Sequence, residues 1–82
     1  MIPYLTLTIE DDDDREFMSA LYINYQRLMY SEIKKIVKNV QDAEDVMQTV
    51  LEKLIDKIPL LRSQKQNQLI NYIFSACKFT AN

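Results

Sequence analysis

Residues 42–58 read DAEDVMQTVLEKLIDKI, and the pattern of their apolar side chains is the strongest indication of the fold. Its apolar side chains recur at steps of three and four residues, the spacing that places them on one side of an α-helix. Asp42 offers a carboxylate to cap the start of this helix, and Pro59 cannot continue its hydrogen bonds. We therefore predict a helix over residues 42–58 with one side facing a core. The apolar stripe consists of Ala43, Val46, Met47, Val50, Leu51, Leu54 and Ile58.

Two further helices are predicted, one on each side of this stretch. Residues 14–38 place apolar side chains on a broad stripe, with lysines in the last turns, where cations complement the carbonyl end of a helix. Residues 66–81 are apolar on nearly every side, which predicts burial on more than one side. A connector over residues 60–65 would join the second and third helices. The predicted shared core is Leu21, Leu28, Val46, Val50, Leu54, Leu69 and Ile73.

The composition favours an all-α fold, a small three-helix bundle. The chain has 82 residues, no glycine and two prolines, so it lacks the turn residues that β-rich folds need. Residues 5–9 alternate like a strand, but no second run could pair with them. We expect residues 1–13 to be an extended or disordered arm and residues 14–82 to form the helical domain.

The composition also excludes disulfide bonds and most catalytic and metal-binding sites. One cysteine and no histidine leave no disulfide, no thiolate or imidazole metal site and no histidine-based catalysis within one chain. The acidic run at residues 11–14 could bind a divalent cation, but such side chains more commonly cap the free N–H groups of a helix. Cys77 lies on an apolar stripe and is expected to fill the core. We expect no enzyme, no cofactor and no metal.

The charge balance argues against strong phosphate binding. Ten basic residues stand against twelve acidic ones, a formal net charge of −2. No apolar run reaches the length that spans a membrane, and the first residues lack the basic start of a signal peptide. These features predict a cytoplasmic location.

The outward side of the second predicted helix carries polar and acidic side chains. The members of this side are three, four, seven and eleven positions from the first of them, and they are Asp45, Gln48, Thr49, Glu52 and Asp56. Such a side is usually just solvated. Ile55 adds an apolar side chain at its edge, beside Gln48 and Glu52.

The stretch from Asn39 to Gln48, NVQDAEDVMQ, resembles the Asp-Ala-Glu-Asp-hydrophobic-hydrophobic-Gln signature of bacterial sigma factors, especially the extracytoplasmic-function type. Residues 17–30 (FMSALYINYQRLMY) look like the first helix of that family's second conserved region, and residues 69–81 look like the start of its next helix. Lys78 fits the basic position of that helix, whereas Phe79 stands where Asn is usual.

This resemblance implies a transcription initiation factor fragment that binds core RNA polymerase. In the family the second helix docks on a basic coiled coil in the clamp of the β′ subunit. Carried over by motif, Asp45, Gln48 and Thr49 would contact it, and Glu52 and Ile55 would join them. We expect Gln48 and Ile55 to be replaceable without loss of fold stability.

The resemblance covers only part of the family's architecture. Most of the promoter-melting and minus-ten recognition elements are missing, so the domain is expected to be incomplete at its carboxyl end. Lys78 is the one candidate for DNA contact, and promoter DNA is expected to be a partner only of a longer parent protein. An anti-sigma protein is a further implied partner.

A self-associating helical module is the alternative function. Tyr72, Phe74 and Phe79 of the third helix would then pack against another copy of the chain. The tyrosines could instead be taken for a base-stacking platform, but stacking surfaces need neighbouring basic residues. We interpret them as packing residues: Tyr22, Tyr25, Tyr30 and Tyr72.

Overall fold

The computed structural model describes residues 4–82, which form five helices and no strand. The helices are α1 (Tyr4–Leu7), α2 (Asp12–Ile36), α3 (Val40–Ile55), α4 (Ile58–Ser63) and α5 (Gln66–Ala81). The long helices α2, α3 and α5 pack on one another in every pairing, and the short helices α1 and α4 each contact α2 and α3. The all-α prediction is confirmed, and the three predicted helices correspond to α2, α3 and α5.

One buried cluster joins four of the five helices. Of the predicted core, Leu21, Val50, Leu54 and Ile73 are buried, while Val46 and Leu69 are half-buried against the cluster. The whole cluster is Met18, Leu21, Met29, Ile33, Ala43, Val50, Leu51, Leu54, Ile58, Leu61, Ile73 and Cys77.

The prediction for Leu28 is wrong, because this side chain is only half-buried and lies outside the cluster. The buried stripe of α2 instead contains Met18, Leu21, Met29 and Ile33, with Tyr25 half-buried between them. These positions follow one another at steps of three and four residues, so they share one side of the helix. Leu28 precedes Met29 by one residue, so its side chain does not share that side of the helix.

Side chains cap the first two long helices. Asp11 accepts a hydrogen bond from the Asp14 backbone N–H at 2.9 Å, so the acidic run begins α2, as its capping interpretation predicts. α3 begins earlier than predicted: Asn39 caps it by accepting from the backbone N–H groups of Gln41 and Asp42. The prediction that Asp42 is the cap is therefore wrong.

The predicted end of the second helix at Ile58 is also wrong. α3 ends at Ile55, and a separate short helix, α4, begins at Ile58 and continues to Ser63, inside the predicted connector. Pro59 lies in the first turn of α4, where a missing N–H breaks no hydrogen bond within the helix. Arg62 of α4 then donates to an Asp14 carboxylate oxygen at 2.8 Å, which ties α4 to the start of α2.

The extended or disordered arm predicted for residues 1–13 is wrong for residues 4–7, which form α1. Leu5 and Ile9 pack against the core cluster, and Thr6 is fully buried. Burial of these side chains stabilises a helical turn on the bundle, whereas a lone strand has no partner for its backbone groups. Arg15 donates to the Ile9 carbonyl oxygen at 3.1 Å and holds this segment against α2. Residues 1–3 lie outside the described residues.

Candidate functional site

The outer face of α3 is defined here by Asp45, Gln48, Thr49 and Glu52. All four side chains are exposed, while Ala43, Val50 and Leu54 on the opposite side of the helix are fully buried. The packing of α3 against α2 and α5 therefore leaves this face uncovered within residues 4–82.

The outer face carries free negative charge. Asp45 and Glu52 form no ion pair within the described residues, where the three ion pairs involve Asp12, Glu32 and Asp14. Three further acidic residues of α3 and its carboxyl end, Asp42, Glu44 and Asp56, are also exposed. The Thr49 hydroxyl donates to the Asp45 carbonyl oxygen at 3.1 Å and keeps its oxygen available as an acceptor. A cationic partner is favoured on this side of the molecule.

Ile55 differs from the four members of the outer face. It is half-buried and packs against the core cluster. It lies seven residues after Gln48, so the two side chains share one edge of α3. Because Ile55 contributes to the core, the expectation that it can be replaced without loss of stability no longer holds.

A groove of about 550 Å³ lies between α2 and α3, next to the outer face. Its apolar floor is formed by Tyr22, Tyr30, Met47 and Leu51. Its rim is polar and comprises Gln26, Arg27, Ser31, Glu44 and Gln48. Gln48 belongs both to this rim and to the outer face. Sequence patterning assigned Tyr22, Tyr30 and Met47 to packing, and all three do pack against the core cluster while they line the groove.

The predicted DNA-contacting residue, Lys78, lies exposed on α5. It lines a second depression, between α2 and α5, together with Glu32, Asn71 and Phe74. Another basic residue near this end of α5 is Lys53 of α3, whose ammonium donates to the Thr80 hydroxyl at 3.0 Å. Two lysines at this spacing do not make the continuous basic stripe that tracks a nucleic-acid backbone.

The three aromatic residues proposed for self-association have different environments. Tyr72 is half-buried against the core cluster, and Phe74 is half-buried. Phe79 alone is open, with 85% of its surface exposed. A single exposed ring offers little area for a contact between two copies.

Cys77 is fully buried, as a residue that fills the core would be. Burial raises the pKa of its thiol from 9.0 to about 11, and the negative charge of Glu32 adds to the increase. The thiol is therefore protonated near neutral pH and is a poor nucleophile. Among residues 4–82, no three His, Cys, Asp or Glu side chains are grouped as metal ligands would be. No helix in that range has the length and apolarity needed to cross a bilayer.

The fold is that of a small helical bundle, and α3 presents an exposed face with two carboxylates. The family model for sigma-70 region 2 matches residues 21–81, and the chain belongs to this family. No curated protein and no solved structure shows significant similarity to the chain. The family consists of non-enzymatic transcription factors, and membership gives the chain a sigma-factor role in transcription initiation, which includes binding core RNA polymerase.

Proposed function

We propose that the chain binds core RNA polymerase by docking the outer face of α3 on the coiled coil of the β′ clamp. The observation that carries this proposal is the exposure of Asp45, Gln48, Thr49 and Glu52 on one side of a helix whose other side is buried. The family match covers the same helix, because the matched residues 21–81 include all of α3.

Charge supports the proposed partner. The coiled coil on which sigma factors dock, in the clamp of the polymerase β′ subunit, is basic. The outer face has two carboxylates that pair with no cation within residues 4–82. Opposite charges on two approaching surfaces increase the association rate and select the correct partner. Gln48 can add hydrogen bonds, because its amide donates and accepts and has no partner within the same residues.

Titration of the full chain with the isolated β′ coiled coil tests the proposal. We expect Gln48→Ala to weaken the complex by about 1 kcal/mol or more, the level that marks a contributing interface residue. Asn24→Ala is the matched control, because Asn24 is exposed on α2 and lines neither the groove between α2 and α3 nor the depression between α2 and α5.

Charge reversal tests the electrostatic contribution of the outer face to the proposed docking. Asp45→Lys and Glu52→Lys should slow association and flatten its dependence on salt, since steering by opposite charges acts mainly on the association rate. Glu10→Lys makes the same charge change at an exposed residue between α1 and α2 and should have a much smaller effect. If all three outer-face variants stayed folded and bound as the parent does, the docking assignment would have to be abandoned.

A further inference from the structure

One side of α2 stays exposed along most of the length of the helix. Its members recur at steps of three and four residues, so they lie in one row, opposite the buried stripe of the same helix. We call this row the α2 stripe. Its members are Asp13, Glu16, Ala20, Ile23, Asn24, Arg27 and Ser31.

The two halves of the α2 stripe carry opposite charges. The first half has the carboxylates of Asp13 and Glu16, and the second half has the guanidinium of Arg27. None of these three groups forms an ion pair within residues 4–82. Ile23 lies between the two halves and is 55% exposed. An acidic half, an apolar centre and a basic half make the row complementary to a reversed copy of itself.

A second copy fits the α2 stripe when the two α2 helices run antiparallel and are centred between Ile23 and Asn24. Residues equally far from that centre lie opposite one another, so Arg27 of one copy faces Ala20 of the other. Glu16 lies one turn beyond Ala20, roughly 5–6 Å along the helix. The small side chain of Ala20 leaves the guanidinium free to reach this carboxylate.

The ends and the centre of the two helices match in the same register. Lys34, in the last turn of α2, comes opposite Asp13 of the second copy. At the centre the two copies of Ile23 lie side by side, where each covers apolar surface of the other. A parallel pair would instead place carboxylate beside carboxylate, and like charges that face each other across an interface oppose binding.

From this pattern we infer that the α2 stripe binds the α2 stripe of a second copy, antiparallel, in a symmetric homodimer. The two-fold axis passes between Ile23 and Asn24, so each ion pair forms twice and the assembly closes at two chains. The inference is independent of polymerase docking, which uses the outer face of α3. It also differs from self-association through the aromatic side chains of α5.

The size of the contact predicts a weak dimer. A helix of 25 residues is about 37 Å long, and one row of side chains covers only a narrow strip of it. Such a contact lies at the small end of specific interfaces, so we expect a Kd of about 10⁻⁴ M. Added salt should weaken the dimer further, because the charged groups of the α2 stripe are exposed to solvent.

Sedimentation equilibrium of the full chain, with a charge swap, tests the pairing. Arg27→Glu and Glu16→Arg should each weaken self-association about tenfold, because each places like charges opposite one another. An equimolar mixture of the two variants should associate like the parent, since each supplies the charge that the other lacks. Lys57→Glu is the matched control, because Lys57 is exposed between α3 and α4, away from the α2 stripe. Circular dichroism confirms that each variant is folded.

Disulfide cross-linking tests the antiparallel register. Two copies of residue 24 lie beside the two-fold axis, whereas two copies of residue 31 lie about 22 Å apart along the helices. Under mild oxidation we therefore expect Asn24→Cys to form a covalent dimer and Ser31→Cys to stay a single chain. The native Cys77 is fully buried, so it does not compete for the cross-link.

Several results would overturn the inference. They are a parent chain that is monomeric at about 1 mM, a mixture that associates no better than its two components, and cross-linking of Ser31→Cys as readily as of Asn24→Cys. Association that survives Arg27→Glu but is lost in Phe79→Ser would assign the contact to α5 and would also overturn it. Docking of the outer face of α3 is measured separately, with the β′ coiled coil, and stands or falls by that titration.

Discussion

At the scale of single residues, Ile55 contributes to two surfaces at once. It packs against the core cluster and stays partly open on the edge of α3 that also carries Gln48. Replacing a fully buried isoleucine with alanine costs about 2–5 kcal/mol, so we expect Ile55→Ala at this half-buried position to lower the free energy of unfolding by about 1–2 kcal/mol. Urea unfolding measures the loss. Ile23→Ala is the control, since Ile23 is 55% exposed, and equal stability of the two variants would contradict the packing of Ile55.

Thr6 is a second residue whose side chain has a measurable effect on stability. Its side chain is fully buried, and its hydroxyl oxygen has no hydrogen-bond partner within the described residues. Thr6→Val keeps the shape and removes the unpaired polar group, so we expect the protein to become more stable by about 1 kcal/mol. Thr8→Val is the matched control: the Thr8 hydroxyl is exposed and donates to the Leu5 carbonyl oxygen at 2.6 Å. A Thr6→Val variant that melts below the parent would show that the hydroxyl is satisfied.

The buried thiol of Cys77 makes stability depend on alkaline pH. Its pKa is raised from 9.0 to about 11 in the folded chain, so the unfolded chain loses this proton first as the pH increases. The contribution of the thiol to the free energy of unfolding is fully present below pH 9 and is lost as the pH rises from about 9 towards 11.

Cys77→Ala isolates this contribution from tyrosine and lysine titration, because those groups are common to both proteins. The stability advantage of the parent over Cys77→Ala should shrink by about 2 kcal/mol between about pH 8 and about pH 10.5. Guanidinium unfolding under reducing conditions measures it. An advantage that is the same at both pH values would mean that the thiol titrates alike in the folded and unfolded chains.

At the scale of elements, the start of α3 depends on one side chain. The Asn39 carboxamide oxygen accepts from the backbone N–H of Gln41 at 2.8 Å and from that of Asp42 at 3.1 Å. We expect Asn39→Ala to lower stability by about 1 kcal/mol, which lowers the melting temperature by about 4–8 °C in a domain of this size.

Asp42→Ala is the matched comparison for this cap. Its backbone N–H survives the substitution, so only the interaction of its carboxylate with the helix dipole is lost. Melting curves in about 0.5 M salt screen that interaction and leave the hydrogen bonds of Asn39 largely intact. Equal losses for the two variants at high salt would indicate that Asp42 also caps the helix through its side chain.

At the scale of the whole molecule, the distribution of charge limits what the chain binds unaided. The formal net charge is −2, and Lys78 and Lys53 make no continuous basic stripe. We expect the chain to bind free DNA more weakly than about 10⁻⁴ M, without sequence preference. Fluorescence anisotropy with a minus-ten oligonucleotide and a scrambled one of equal length tests this. A sequence-selective complex at micromolar concentration or tighter would show that the DNA-reading residues lie elsewhere than expected.

The helical class, the buried side of α3 and the exposure of its outer face could all be predicted from the amino-acid sequence. Those properties follow from the spacing of side chains along one helix, which is local and has a fixed period. Asp45, Gln48, Thr49 and Glu52 therefore face outward as predicted. The family signature at residues 39–48 lies in one continuous stretch, which is why it can also be read without a structure.

Features that depend on contacts between distant segments could not be predicted without the folded structure. The conversion of residues 4–7 into a helical turn, the choice of Ile33 over Leu28 and the packing of Ile55 all follow from which side chains reach the shared core. The groove requires Tyr22 and Met47 to line one space from two different helices. Periodicity cannot predict such a space, because it depends on how α2 and α3 pack against each other rather than on the pattern of either helix.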